Sequence, residues 1–186
     1  MRKPNAKERI LETASRLFHQ RGYSEVGINE IISEAQTAKA SFYQHYSSKE
    51  SLCEAWLEDT HEKSDARLKA IIEAEGAAVD KLADYFDRLK SYLIDSEFRG
   101  CPYNNTGVVS GDECTGIRKQ ILDHKACMRC FFRELAFQQN ADREKADVIG
   151  DRLLLLYSGA STEAQTVKAL WPVDIAKAAA IDLIQL

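Results

Sequence analysis

Residues that interrupt helices are scarce: three prolines and nine glycines in 186 residues leave long uninterrupted stretches. Apolar residues recur at three and four rather than at two, so the expected fold class is all-α. No apolar run approaches the roughly 18 residues that a membrane helix needs. The first residues, MRKPNAKERI, lack the apolar centre of a secretory signal, so the expected setting is the cytoplasm, with no membrane partner. The five cysteines, Cys53, Cys101, Cys114, Cys127 and Cys130, are odd in number, which argues against a full disulfide framework and makes free thiols the simpler reading. There is no internal repeat and no low-complexity tract. Cys and His are scattered, without a nucleophile beside a base and without a metal-ligand grouping. The expectation is therefore no enzyme, no catalytic residue, no metal site and no cofactor, with a small helical enzyme lacking a recognised motif as the competing class.

A basic excess is missing as well, since the formal net charge is −4. The distribution is uneven, however. Residues 1–50 hold eight Lys or Arg against six Asp or Glu, and residues 51–186 hold 17 against 23. That gradient directs a nucleic acid toward the N-terminal end.

What is present is a succession of amphipathic segments. Asn5 with Glu8 forms a cap, and Ile10, Ala14, Leu17 and Phe18 follow on one face until Gly22 supplies a stop. Arg9, Arg16 and Arg21 are expected on the open face, available to solvent or phosphate. Ile28, Ile31, Ile32 and Ala35 make a shorter segment beginning near Gly27. A third runs from about Ala38 to Tyr46 with Phe42 as its inward anchor. Ser47 with Glu50 reads as a capping box opening a long helix to about Ala74. Further helices are expected over about 79–96, 117–139 and 143–170, with a last one from Pro172. Two Asn, three Gly and one Pro predict an irregular stretch over 99–112. Leu153, Leu154, Leu155 and Leu156 are apolar all round and call for cover on more than one side. With the small-residue face of the last helix they predict a homodimer closed as a four-helix bundle by residues 143–170 and 172–186.

Two short helices joined by a tight turn can present the second to the major groove. With Phe42 buried, Lys39, Ser41, Tyr43 and Gln44 reach outward; Gln suits adenine, Lys suits guanine or phosphate, and hydroxyls suit phosphate oxygens. The amides that open the next helix near Ser48 and Lys49 suit a phosphate.

The run RILETASRLFHQRGYSEVGINEIISEAQTAKASFYQHYSSKESL resembles the DNA-binding domain of the tetracycline-repressor (TetR) family of bacterial regulators. Phe18, Gly22 and Tyr23 match its F-x-x-x-G-Y pattern. Ser41 to Tyr46 match its S/T-[LF]-Y-x-[HY]-F pattern, with Ser48, Lys49 and Glu50 at the next helix start. The resemblance places Lys39, Ser41, Tyr43, Gln44 and His45 on the recognition face, Thr37 at its start, Lys49 at the phosphate-binding helix start, and Asn29 on the preceding helix. It departs at Gly27, where a capping Thr is usual, and at Gln36, where the turn usually has Gly.

Carried further, the resemblance implies a helix-turn-helix domain over 1–48 and a helical effector-binding and dimerisation domain over 49–186. Expected partners are a double-stranded, near-palindromic operator and a small-molecule effector of unknown identity that releases it. Inward aromatic or polar positions, Tyr85, Phe86, Phe98, Tyr103, His124, Phe131 and Tyr157, are pocket candidates, with ordinary core packing as the competing reading. Arg99 to Pro102 resembles the G-C-P start of helix six in some of these regulators. A thiol- or metal-responsive regulator using Cys101, Cys114, Cys127 or Cys130 is the alternative of the same fold.

Overall fold

A computed structural model describes residues 2–186. Among them the chain forms helices and no strand: α1 (Ala6–Arg21), α2 (Ile28–Glu34), α3 (Lys39–His45), α4 (Lys49–Glu73), α5 (Ala78–Asp95), α6 (Pro102–Gly107), α7 (Thr115–Asn140), α8 (Arg143–Val167) and α9 (Trp171–Ile184). None of these helices is long and apolar enough to cross a membrane. The fold is all-α, as expected. Two compact units divide it: one holds residues up to Glu62 with Pro102–Asp123, the other Lys63–Cys101 with His124–Leu186.

In the first unit, local chemistry sets the helix ends. Asn5 and Glu8 exchange the two capping bonds, at 2.9 and 2.8 Å. Gly22 ends α1 at φ 95°, a conformation that side chains disfavour. The capping box expected at Ser47 and Glu50 lies one residue further on. The Ser51 amide donates to Ser48 Oγ and the Ser48 amide to Ser51 Oγ, both at 3.1 Å, and Ser51 Oγ also donates to the Ser48 carbonyl at 3.0 Å. A short hydroxyl thus does the work the pattern assigned to a carboxylate. The core of this unit is built from Ile10, Ala14, Leu17, Phe18, Val26, Ile31, Phe42, Leu52, Trp56 and Leu57, all buried. The 99–112 stretch, expected to be irregular, contains the six-residue α6. Such a turn is unstable alone; here Tyr103 is buried and its hydroxyl donates to the Leu57 carbonyl at 2.9 Å.

In the second unit α5 buries Leu82, Phe86, Leu89 and Leu93 against a core that α7, α8 and α9 complete with Phe131, Phe132, Leu135, Leu153, Val173 and Ile184. Helices α7 and α8 are joined by charge as well as by packing. Arg129 and Arg133 both bind Asp151, and Arg133 also binds Asp147 at 2.9 Å. Those hydrogen bonds hold the Asp151 carboxyl well below the usual carboxylate range. The helices cross so closely at Gly150 that a Cβ there would lie 2.5 Å from the Arg133 Cα.

Gly150→Ala gains about 1 kcal/mol of helix propensity but must separate two backbones. Urea denaturation should show a net destabilisation of about 2 kcal/mol; an unchanged midpoint would contradict the close crossing.

Candidate nucleic-acid interface

The α2–α3 turn is closed by its own backbone. The Thr37 amide donates to the Ile32 carbonyl and the Gln36 amide to the Ser33 carbonyl, both at 3.1 Å. This is a Schellman cap, whose left-handed position usually carries Gly. Gln36 takes it at φ 50°, so the chain keeps the regular turn and accepts the strain. Arg9 supports it from α1. Its Nε and Nη2 donate to the Ala35 and Gln36 carbonyls at 3.1 and 3.4 Å, and its Nη1 donates to the Pro4 carbonyl at 3.1 Å.

Phe42 is fully buried and Tyr46 is 4% exposed, which fixes the rotation of α3. Lys39, Tyr43, Gln44 and His45 then stand exposed, with Ser41 and Thr37 half-buried, and Asn29 is exposed on α2. The Tyr43 ring lies edge-on to Phe42 at 5.3 Å between centroids, so the core orients a side chain that remains 47% exposed. Lys49, half-buried at the start of α4, places Nζ 4.4 Å from the centre of the Tyr23 ring and 3.5 Å from the Ser24 carbonyl. Burial lowers its pKa. The same surroundings push the Tyr23 hydroxyl up to about 12, through burial first and then Cys53 and Cys114.

Of the three arginines expected to be open to phosphate, Arg16 binds Glu34 and Arg21 binds Glu30, while Arg9 is committed to carbonyls. Both ion pairs join α1 to α2, a relation that residue spacing on α1 alone does not disclose.

Residues 10–56 match the family described as bacterial regulatory proteins, tetR family. A TetR-family transcriptional regulator from Streptomyces coelicolor superposes with a TM-score of 0.77 at 25% identity, over 97% of this chain and 92% of that one. Residues 10–56 thus carry a TetR-type DNA-binding domain. The reduced form of Escherichia coli NemR shares the fold, with a TM-score of 0.80 at 21% identity over 96% of this chain and 97% of that one. In sequence, the transcriptional repressor NemR of Escherichia coli K12 is 29% identical over 67% of this chain and 58% of its own length. An uncharacterized HTH-type regulator in the lacX 3′ region of Lactococcus lactis is 31% identical over 54% of this chain and 53% of its own length. The chain spans a little over half the length of these curated relatives.

Beyond the TetR-type head, the second unit gathers most of the pocket candidates. Tyr85 stacks on Tyr157 at 5.1 Å and meets Phe131 at 4.7 Å, while Phe86 meets Tyr157 at 5.7 Å. Phe132 joins them at 5.5 Å from Tyr157. Apolar periodicity, which marks an inward face and nothing more, does not distinguish Phe132 from the candidate Phe131. Burial pushes the Tyr85 hydroxyl up to about 12 and that of Tyr157 well above its ordinary value, and the Tyr85 hydroxyl donates to Met128 Sδ at 3.6 Å. His124 is buried, and Phe98, at φ 58° in the turn after α5, packs on the edge of this core. Tyr103 belongs to the other unit.

The thiols differ. Cys53 is buried and its pKa is raised strongly by desolvation. Burial and then the neighbouring Asp65 push Cys127 up to about 11. Cys114 is raised by desolvation and Glu50. Cys101 is half-buried and Cys130 exposed. Among the described residues no three His, Cys, Asp or Glu side chains are placed to hold a metal ion.

Gln36→Gly should stabilise the head by about 0.5–1 kcal/mol, because glycine adopts the left-handed turn without a Cβ penalty. Thermal unfolding should rise by a few degrees; a fall would mean that Gln36 makes a compensating contact.

Proposed function

We propose that this protein is a ligand-responsive transcriptional repressor of the cytoplasm that binds a near-palindromic operator as a homodimer and is released by a small-molecule effector. One observation carries the reading: buried Phe42 turns Lys39, Tyr43, Gln44 and His45 outward on a seven-residue helix behind a tight turn. In the proposal the head over 1–48 enters the major groove with α3. Lys39 and Gln44 meet base edges, while Thr37, Ser41, Tyr43, His45 and Lys49, with Asn29 from α2, serve the backbone and flanking contacts.

Residues 49–186 supply dimerisation and effector binding. An open apolar groove of about 590 Å3 on α8 and α9 supports the dimer. Leu155, Trp171 and Ile175, at 71%, 56% and 65% exposure, flank it, and Gly159 has open space where a Cβ would stand. Two copies meeting there would close a four-helix bundle. The aromatic cluster of Tyr85, Phe86, Phe131 and Tyr157 is the candidate effector site. An effector favouring the DNA-free arrangement weakens DNA binding by the same factor by which DNA weakens effector binding.

Tyr43→Phe combined with Lys49→Ala should lower affinity for operator and scrambled duplexes alike, whereas Gln44→Ala should erode the preference between them by about 1–3 kcal/mol. Gel-shift titration against the DNA flanking the coding region checks both. Absence of a salt-sensitive preference for that DNA in the parent protein would defeat the reading.

A thiol-responsive regulator of the same fold is the second reading, favoured by the likeness to a structure described as a reduced form and by the exposure of Cys130. Exposed Cys130, with half-buried Cys101, Cys114 and Cys127, supplies its candidate thiols, whereas Cys53 is buried. Under this reading, alkylation with iodoacetamide changes operator affinity several-fold; unchanged affinity removes it.

A further inference from the structure

The positive charge of the head is not where the recognition helix is. Residues 1–9 hold four cations, Arg2, Lys3, Lys7 and Arg9, against the single carboxylate Glu8, whereas residues 10–50 hold four cations against five carboxylates. Two of the latter cations, Arg16 and Arg21, are bound by Glu34 and Glu30. Helix α3 itself contributes Lys39 as its one Lys or Arg. A head that binds a polyanion therefore draws much of its field from the segment that opens the chain.

The geometry puts that segment beside the turn into α3. One planar guanidinium, that of Arg9, holds the Pro4 carbonyl and the Ala35 and Gln36 carbonyls together. The capping box of Asn5 and Glu8 fixes where the chain leaves α1, and Pro4 restricts the backbone at that point. Lys3 and Lys7 are exposed, and Arg2 pairs with Glu8 at the surface. Three extended residues span about 10 Å, so Arg2 and Lys3 lie within reach of the space next to the start of α3.

We propose that Arg2 and Lys3, backed by Lys7, form a second DNA-contacting element that binds the sugar-phosphate backbone of the duplex beside the groove entered by α3. The inference rests on the DNA-binding reading above. Glu8 holds Arg2 when DNA is absent, and a phosphate replaces that carboxylate on binding. Such contacts position the head and carry no base information. The arm therefore raises affinity for any duplex equally.

The test uses the full chain, a duplex of the DNA flanking its coding region, a scrambled duplex of the same composition, and a salt titration of each. Arg2→Ala with Lys3→Ala should weaken binding to both duplexes by at least about tenfold near 0.1 M salt and lower the salt slope by roughly two units per bound subunit. Preference between the duplexes and thermal unfolding should not change, because both residues lie outside the helices. Glu8→Gln keeps a side chain suited to the capping box, frees Arg2 and should tighten both complexes. If the parent binds with a salt-dependent affinity and the double variant keeps the same affinity and slope, or loses only one duplex, the arm is overturned. If the parent binds neither duplex in a salt-dependent way, the DNA-binding reading itself is what fails.

Discussion

Burial of the Phe42 side chain sets the rotation of α3, and the rest of the head follows from that rotation. A seven-residue helix cannot hold itself together in water; α3 is held because Phe42 and Tyr46, four residues apart, are both buried. Everything exposed on it is exposed by consequence. Lys39 and Tyr43 share one face at a spacing of four, and Gln44 and His45 occupy the next. Among the described residues the buried Tyr46 hydroxyl has no hydrogen-bond partner, a cost of about 1–3 kcal/mol that the packing of its ring must offset; burial also raises its pKa.

The turn before α3 is stabilised from outside. A left-handed glutamine would favour another turn, yet the Schellman bonds are made and Arg9 holds the two carbonyls on either side of Gln36. The second unit repeats the device. The Glu97 and Phe98 backbones are left-handed at φ 52° and 58°, and Lys168 Nζ donates to both carbonyls at 3.5 and 3.2 Å. In both places a distant cation steadies a helix end that lacks the residue best suited to it.

What could be read from the chain follows the range of the interactions. The Asn5–Glu8 cap, the Gly22 stop, the inward Phe42 and Pro172 in the first turn of α9 depend on residues a few positions apart, and they were legible. The cap of α4 moved by one residue because Ser47 and Ser48 offer the same chemistry and only packing chooses between them. Composition hid helix α6, to which only the resemblance of Arg99 to Pro102 pointed, because its stability comes from Tyr103 reaching Leu57, 46 positions away. The fate of Arg16 and Arg21 was hidden for the same reason, since their partners Glu34 and Glu30 lie on another helix. The aromatic cluster was partly legible: periodicity marked inward positions on α5, α7 and α8, but it could not separate Phe131, a candidate, from Phe132, which meets the same Tyr157 ring.

The central claim is that the face opposite Phe42 meets DNA. Amide hydrogen exchange with and without the duplex flanking the coding region tests it most directly, because it reports where the chain is covered. The account predicts slowed exchange concentrated over residues 36–49, with α3 and the start of α4 slowed most. Unchanged exchange there, while another segment becomes protected, would contradict it.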